Sequence, residues 1–316
     1  MSAGQPPLHA TACAVIVHYG DPALTIAAVA RLDSINRLDA LIVVANDQLP
    51  EPASLAATRV RWLIPTSNLG FAGACAWAAE RIPADAYIFL NADVDLDRHA
   101  VELCLDTLNI ESVGVVGPVL YTPDGALNSA CGGSSRFLHI PRQRPPKTTI
   151  ADCEWVTGAA IFATSDAIRM AGFDASYFLG YEDADFCARV RRAGLRVVVH
   201  GGAVGTHISG STGSPALISY YFQRNLIWFL QRQGHPTTAA LVTLLRALAL
   251  PRSLLGDILL NRQRCTLSRA FALLHGWTMR RTVGVPSPME PIPIRWLPAE
   301  SRPQPMASLV FDDRNG

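Results

Sequence analysis

A chain of 316 residues is long enough to bury a full α/β core and still carry an appendage, so it is not a minimal binding module. Its 27 basic and 26 acidic side chains nearly cancel, which excludes the strongly basic signature of a general nucleic-acid binder. Seven cysteines, Cys13, Cys75, Cys104, Cys131, Cys153, Cys187 and Cys265, are scattered without a C-x-x-C pair and mostly lie in apolar segments, the pattern of reduced core thiols in a cytoplasmic protein. No basic segment followed by a long apolar run opens the chain, and no signal peptide is expected.

The run from Ala12 to Tyr19, A-C-A-V-I-V-H-Y, predicts a strand buried on both faces of a parallel sheet. Asp21-Pro22 opens a helix to about Asn36, and a second strand, Leu41 to Val44, ends in Ala45-Asn46-Asp47. Ligands of such β-α-β sheets bind at the carboxyl ends of the strands, so His18, Tyr19, Asn46 and Asp47 are expected to face one crevice. Asn46-Asp47 also reads as a plain turn pair. A third strand, Val60 to Ile64, leads through Asn68, Gly70 and Phe71 into a helix rich in small residues. Gly70 and Gly73 do not complete a G-x-G-x-x-G loop, which argues against a nicotinamide enzyme.

The strand Ala86 to Leu90 ends in N-A-D-V-D, Asn91 to Asp95. Acids after a central strand can hold a divalent cation against nucleotide phosphates, and Asp93 is closest to the strand end; Asp97 reads instead as a helix cap. After a strand from Val113 to Tyr121 comes a basic, Gly/Pro-rich stretch, Pro123 to Lys147, expected as a long loop that either grips a diphosphate or is merely solvated. Trp155 to Phe162 reads as a strand feeding the helix Ser165 to Met170. Strand Arg196 to His200 and the segment G-T-H-I-S-G-S-T-G, which contains His207, close the domain.

Between them lies Tyr177 to Asp185, Y-F-L-G-Y-E-D-A-D, with Glu182, Asp183 and Asp185 at the entrance to a helix ending at Gly194. Helix N-termini favour acids, so Asp183 could be an N-cap and Asp185 could pair with Arg189 one turn on. The aromatic approach through Phe173, Tyr177, Phe178 and Tyr181 points elsewhere, because a carboxylate against apolar surface has its pKa raised toward that of a useful general base.

Ser219 to Gln231 predicts an aromatic helix. Leu241, Leu244, Leu245 and Leu248, then Leu254, Leu255, Ile258 and Leu259, keep helical spacing on either side of Pro251. Arg246 and Arg252 are expected to interrupt the apolar run before it reaches bilayer-spanning length. From Arg224 to Arg281 there are nine arginines and one acid, Asp257, which suits either an interfacial helix on anionic lipid or an appendage packed on the catalytic domain. The expected divisions are a catalytic domain over 10–213, an arginine-rich helical region over 214–284 and a proline-rich extended tail over 285–316.

Taken together, V-I-V-H-Y, N-L-G-F-A-G-A, L-N-A-D-V, W-V-T-G-A-A, G-F-D-A-S-Y-F-L-G-Y-E-D-A-D-F-C-A-R-V-R-R-A-G and H-I-S-G-S resemble, in order and over roughly residues 12 to 230, the inverting GT-A fold (family 2) glycosyltransferases, in particular their rhamnosyltransferase-like members. The resemblance implies an α/β GT-A fold with a mostly parallel central sheet flanked by helices, and a C-terminal helical appendage. It implies a nucleotide-sugar donor, a divalent Mg²⁺ or Mn²⁺ held by Asp93 and His207, and Asp183 as the base. Glu182 and Asp185 would position hydroxyls, and Trp155, Gly158 and Tyr181 would belong to the sugar pocket. His18, Tyr19, Asn46, Asp47, Asn68, Gly70, Phe71 and Asn91 would lie toward the donor. The implied acceptor is a glycan on a polyprenyl diphosphate, met at the inner membrane surface. Two departures, Ala45 where relatives carry an acid and Asn91 opening the metal motif, leave open a UDP-hexose donor in place of a dTDP-sugar, or a non-catalytic sugar-binding protein.

Overall fold

The computed structural model describes residues 11–135, 140–208, 215–259 and 265–278; the tail expected over 285–316 and the run at 209–214 lie outside them. The first half follows the hydrophobic runs closely. Strand β1 (Ala12–His18), helix α1 (Pro22–Asp33), β2 (Ala40–Ala45), β3 (Val60–Leu63), α2 (Gly70–Arg81) and β4 (Ala86–Asn91) build a parallel β3-β2-β1-β4 half-sheet. Asp21 caps α1 by accepting the N–H of Ala23, with Pro22 at the first helical position, where its missing N–H costs nothing. The short β5 (Val94–Leu96) precedes α3 (Arg98–Leu108), and Asp97 caps α3 as its spacing predicts, accepting from the Ala100 N–H at 2.7 Å.

Strand β6 (Val113–Tyr121) leads into the basic stretch, which is not a plain loop. It contains β7 (Leu127–Ser129), paired with β6, and a separate hairpin of β8 (Cys131–Ser134) and β9 (Pro141–Arg144). Alternation is hidden there by Gly132 and Gly133, and at Gly132 the Trp155 ring and carbonyl lie too close for a Cβ. The edge strand β10 (Ile150–Asp152) follows. The strand expected from Trp155 is also corrected: β11 runs only over Ala160–Thr164, and Gly158 and Ala159 form a turn before it. Helix α4 (Ser165–Met170), α5 (Glu182–Arg192) and a long β12 (Arg196–His207) complete the sheet, in the order β10-β12-β6-β11-β4-β1-β2-β3. β11 lies antiparallel between β4 and β6, while β12 runs parallel to β6. An irregularity between Val199 and Val204 extends β12 beyond the expected His200 and delivers His207 to the carboxyl edge of the sheet.

Four helices follow: α6 (Pro215–Arg232), α7 (Pro236–Leu248), α8 (Leu250–Leu259) and α9 (Cys265–Thr278). α6 is no detached appendage, because Arg224, Asn225 and Arg232 all turn into the body of the molecule, as described below. The expectation that Arg246 and Arg252 break the apolar run is corrected. Pro236–Ile258 is a near-continuous helical stretch of 23 residues with mean hydropathy 1.4, long and apolar enough to cross a membrane by length and composition. Ala249 keeps right-handed helical angles between α7 and α8, and Pro251 falls in the first turn of α8, where it is tolerated. Of the nine arginines of this region, Arg262, Arg264, Arg280 and Arg281 lie outside the described residues, Arg252 is exposed and Arg224 is buried. Arg246 turns inward to Gln223, whereas Leu241, Leu244, Leu245, Leu248, Leu254, Leu255 and Ile258 are exposed.

Candidate active site

The carboxyl ends of β1, β2 and β4 are level, with His18 opposite Ala45 and Val17 opposite Asn91. The Asn91 N–H donates to the Ala159 carbonyl at 3.0 Å, which ties the metal-motif strand to the turn that meets the acid pair. The rim expected from a β-α-β opening is therefore one continuous feature.

The acid pair sits in the first turn of α5, with the cap provided by Tyr181 and not by Asp183. Asp183 accepts from the Gly158 N–H through Oδ2 and from the Ala184 N–H through Oδ1, both at 2.7 Å. A Cβ at Gly158 would lie 3.3 Å from Glu182 Oε1 and 3.5 Å from Asp183 Oδ2, so the backbone here packs directly against the acid pair. Glu182 is buried, and its Oε2 has no hydrogen-bond partner. Burial, then the neighbouring Asp183 charge, pushes the Glu182 carboxyl up to about 8. Burial also raises Asp183, against the opposing pull of its backbone N–H bonds. Both adjacent carboxyls are thus raised, chiefly by burial, and they differ in their partners: Asp183 accepts two backbone N–H bonds, whereas Glu182 Oε2 has no partner among the described residues.

Asp185 has a different environment. It is fully buried, accepts from Tyr177 Oη at 3.2 Å, and is paired with Arg189 at 2.9 Å and Arg232 at 2.7 Å. The expected Arg189 pair is present, and these partners make Asp185 a brace between α5 and α6, not a hydroxyl-binding group. The aromatic approach is likewise largely interior: Phe173 stacks on Phe186 at 4.5 Å, Phe178 stacks on Tyr221 at 4.9 Å, and Tyr181 meets Phe222 and Phe229 at 5.9 and 5.8 Å.

The loop into α5 is strained. Phe178 and Tyr181 have φ of 63° and 70°, and the Leu179 N–H closes a tight turn onto the Tyr177 carbonyl at 2.7 Å. α6 enforces this conformation. Asn225 Nδ2 donates to the carbonyls of Tyr177, Leu179 and Gly180 at 2.8, 2.9 and 2.8 Å. Arg224 adds bonds to the carbonyls of Ser176 and Tyr177, and its guanidinium lies 4.0 Å over the Trp228 ring.

Asp93 and His207 meet, with Oδ1 and Nε2 3.3 Å apart and both side chains mostly buried. His207 Nδ1 lies 3.1 Å from Asn128 Oδ1; with Nδ1–H donating to that oxygen, the Nε2 lone pair is directed at the carboxylate. Two acceptors facing each other are stabilised by a shared cation, and cis ligands at metal distances of about 2.1 Å would be about 3 Å apart. The residues therefore fit a divalent ion. Among the described residues no group of three His, Cys, Asp or Glu is gathered. Nothing in the Gly/Pro-rich stretch marks Asn128 in advance, and Arg232 was equally illegible.

The residues expected toward the donor divide into two groups. Asn46, Asn68, Gly70 and Phe71 form a joint: Asn46 bonds the Leu69 N–H and the Gly70 carbonyl, Asn68 accepts from the Gly70 N–H, and the Phe71 N–H donates to the Phe178 carbonyl. Gly70 has φ of 67°, and a Cβ there would lie 2.3 Å from the Phe178 oxygen. His18 is fully buried, 2.7 Å from Thr25 Oγ1 and 3.3 Å from Asp47, with its pKa lowered by burial despite the nearby acids. Tyr19 is exposed and Asp47 partly so, which leaves these two open to a ligand. Trp155 is anchored through Nε1 to the Gly133 carbonyl at 3.3 Å and by bridge bonds to Gly132.

A mostly parallel sheet with an acid-and-histidine pair at one rim defines the class: the fold is that of the GT-A glycosyltransferases. No family model matches the chain. It is 28% identical, over 201 residues, to the N-acetylglucosaminyl-diphospho-decaprenol L-rhamnosyltransferase of Mycobacterium tuberculosis, in strains CDC 1551 / Oshkosh and H37Rv, covering 54% of this chain and 66% of that relative. The chain thus spans just under two thirds of the length of the curated relative it matches. Among solved structures it resembles the mannosyltransferase PcManGT from Pyrobaculum calidifontis in complex with GDP-Man and Mn²⁺, with TM-score 0.52, 14% identity and coverage of 87% of this chain and 88% of that one. It also resembles GalNAc-T7 with UDP, GalNAc and Mn²⁺, with TM-score 0.53 and 14% identity, covering 68% of this chain and 48% of that one.

Proposed function

We propose that this protein is a metal-dependent inverting glycosyltransferase that moves a hexose, rhamnose foremost, from a nucleoside diphosphate to a lipid-linked glycan acceptor. The observation that carries the reading is the acid pair, Asp183 bonded by two backbone N–H groups beside a buried Glu182, next to a turn whose Ala159 carbonyl accepts the Asn91 N–H of the metal-motif strand. In this reading Asp183 takes the proton of an acceptor hydroxyl as its oxygen bonds to the anomeric carbon. The bond from that carbon to the diphosphate breaks in the same displacement, which inverts the configuration. Glu182, protonated near neutral pH, donates a hydrogen bond to a sugar hydroxyl. Asp93 and His207 would hold the divalent ion, which supplies charge stabilisation to the departing diphosphate. An imidazole beside a carboxylate suits Mn²⁺ better than Mg²⁺.

The relative's lipid-linked substrate and the exposed leucines of α7 and α8 support a location on the cytoplasmic membrane surface. The test is sugar transfer from dTDP- and UDP-sugars to a lipid-linked acceptor with Mn²⁺, wild type against Asp183→Asn. Transfer from one donor, with kcat lowered by about 10²–10⁴ in the variant and donor binding kept, is expected. Full activity in the variant would remove Asp183 from its role. Metal-dependent nucleotide binding without any transfer would turn the reading to a sugar-binding protein.

A further inference from the structure

The helical bundle contains two arginines with no role in bracing the acid pair. Arg246, on the inward face of α7 with Ala239 and Val242, donates from Nη1 to Gln223 Oε1 at 3.0 Å. Arg269 on α9 donates to Ser219 Oγ at 2.9 Å and Ser253 Oγ at 2.8 Å. These partners are all neutral, and among the described residues neither guanidinium is ion-paired with a carboxylate. Asp257, the one acid of this region, accepts instead from the Thr266 N–H. The Arg246 pKa is lowered by burial, Tyr181 opposes the shift and the Arg269 charge adds to it, so the two cations stand within electrostatic reach of each other. Half-buried cations gathered without a counter-ion are costly unless an anion completes the site.

Their position suggests which anion. Gln223 follows Phe222, whose ring meets Tyr181 edge-on at 5.9 Å, and Tyr181 directly precedes Glu182 and Asp183. On the outer side, Leu245, Leu248, Leu254 and Leu255 flank Arg246 and Ser253 in sequence and are about half or more exposed. Arg246 is thus within electrostatic reach of Tyr181, which directly precedes the acid pair, and its own helix presents exposed leucines, the order of parts in a sugar joined through diphosphate to a hydrocarbon. We propose that Arg246 and Arg269 bind the diphosphate of the lipid-linked acceptor, with its hydrocarbon leaving over the α7 and α8 leucines. Guanidinium forks match phosphate oxygens in geometry and charge. The inference rests on the acceptor class proposed above.

The test is a titration of the full chain with farnesyl diphosphate, farnesol and inorganic pyrophosphate, followed by tryptophan fluorescence in EDTA, so that the metal-dependent donor site does not contribute. Farnesyl diphosphate should bind more tightly than either half-ligand. Replacing both arginines, Arg246→Gln with Arg269→Gln, should weaken it by roughly tenfold or more while leaving farnesol and Mn²⁺-dependent nucleotide binding in place. Arg246→Lys, which keeps the charge, should lose less than Arg246→Gln and serves if the double variant does not fold. Unchanged farnesyl diphosphate affinity in the glutamine variants overturns the proposal, as does equal weakening of all ligands. Loss of binding to phosphatidylglycerol vesicles with the titration unchanged would assign the arginines to bilayer headgroups and overturn it too. Because no sugar transfer is involved, failure of the glycosyltransferase reading would be seen separately.

Discussion

Replacing Asn225 with alanine tests whether α6 holds the catalytic loop. Asn225 is fully buried, and its amide donates to three carbonyls of the Tyr177–Gly180 turn. The Tyr177 carbonyl would keep a bond from Arg224, but those of Leu179 and Gly180 would lose the Asn225 donor. A buried polar group left unpaired costs about 1–3 kcal/mol, so two partly relieved by water entering the vacated space suggest a loss of about 2–3 kcal/mol. For a domain of this size that lowers Tm by about 4–9 °C, measurable by calorimetry or circular dichroism. The strain at Phe178 and Tyr181 would relax at the same time and carry Asp183 away from Gly158, so sugar transfer should fall more than donor binding. A Tm within about 1 °C of wild type together with unchanged transfer would refute the reasoning, since a loop that needs no clamp gains nothing from these bonds.

The Glu182 carboxyl, raised from 4.5 to about 8 chiefly by burial, retains in the folded state a proton that the unfolded chain has released. Its contribution to stability is therefore fully present below about pH 4.5 and is lost as pH rises through about 8. Glu182→Gln should gain on wild type across that window in a series of thermal melts, and parallel curves would contradict the assigned cause. Asn128→Ala should raise the Mn²⁺ concentration needed for nucleotide binding by about 10–100-fold, because His207 loses the acceptor that orients its ring. An unchanged Mn²⁺ titration would show that His207 needs no such support.

Much of the site was legible because its chemistry depends on residue type at strand ends and helix starts. Apolar runs placed β1, β2 and β4, and the acids beyond them followed from where such strands terminate. Asp97 as a cap and the Asp185–Arg189 pair are local, set by spacing along one helix. The β8–β9 hairpin was not legible, because its strands are only four residues each, β8 carries two glycines and β9 reads P-R-Q-R, so neither shows an alternating apolar pattern. Distance along the chain hid Asn128, which is 79 residues from His207.

The sequence by itself determined the α/β class, the strands that end in polar residues and the residue types able to hold a metal or take a proton, all of which arise from local pattern and side-chain chemistry. Only the tertiary structure decided the surroundings of each acid. Asp183 and Asp185 are two residues apart on one helix, yet one meets the Gly158 N–H and the other two arginines. It also decided that Arg246 turns inward while the leucines of α7 face out. The reason is physical: burial and counter-charge are properties of the neighbours a side chain acquires on folding, and these come from distant parts of the chain.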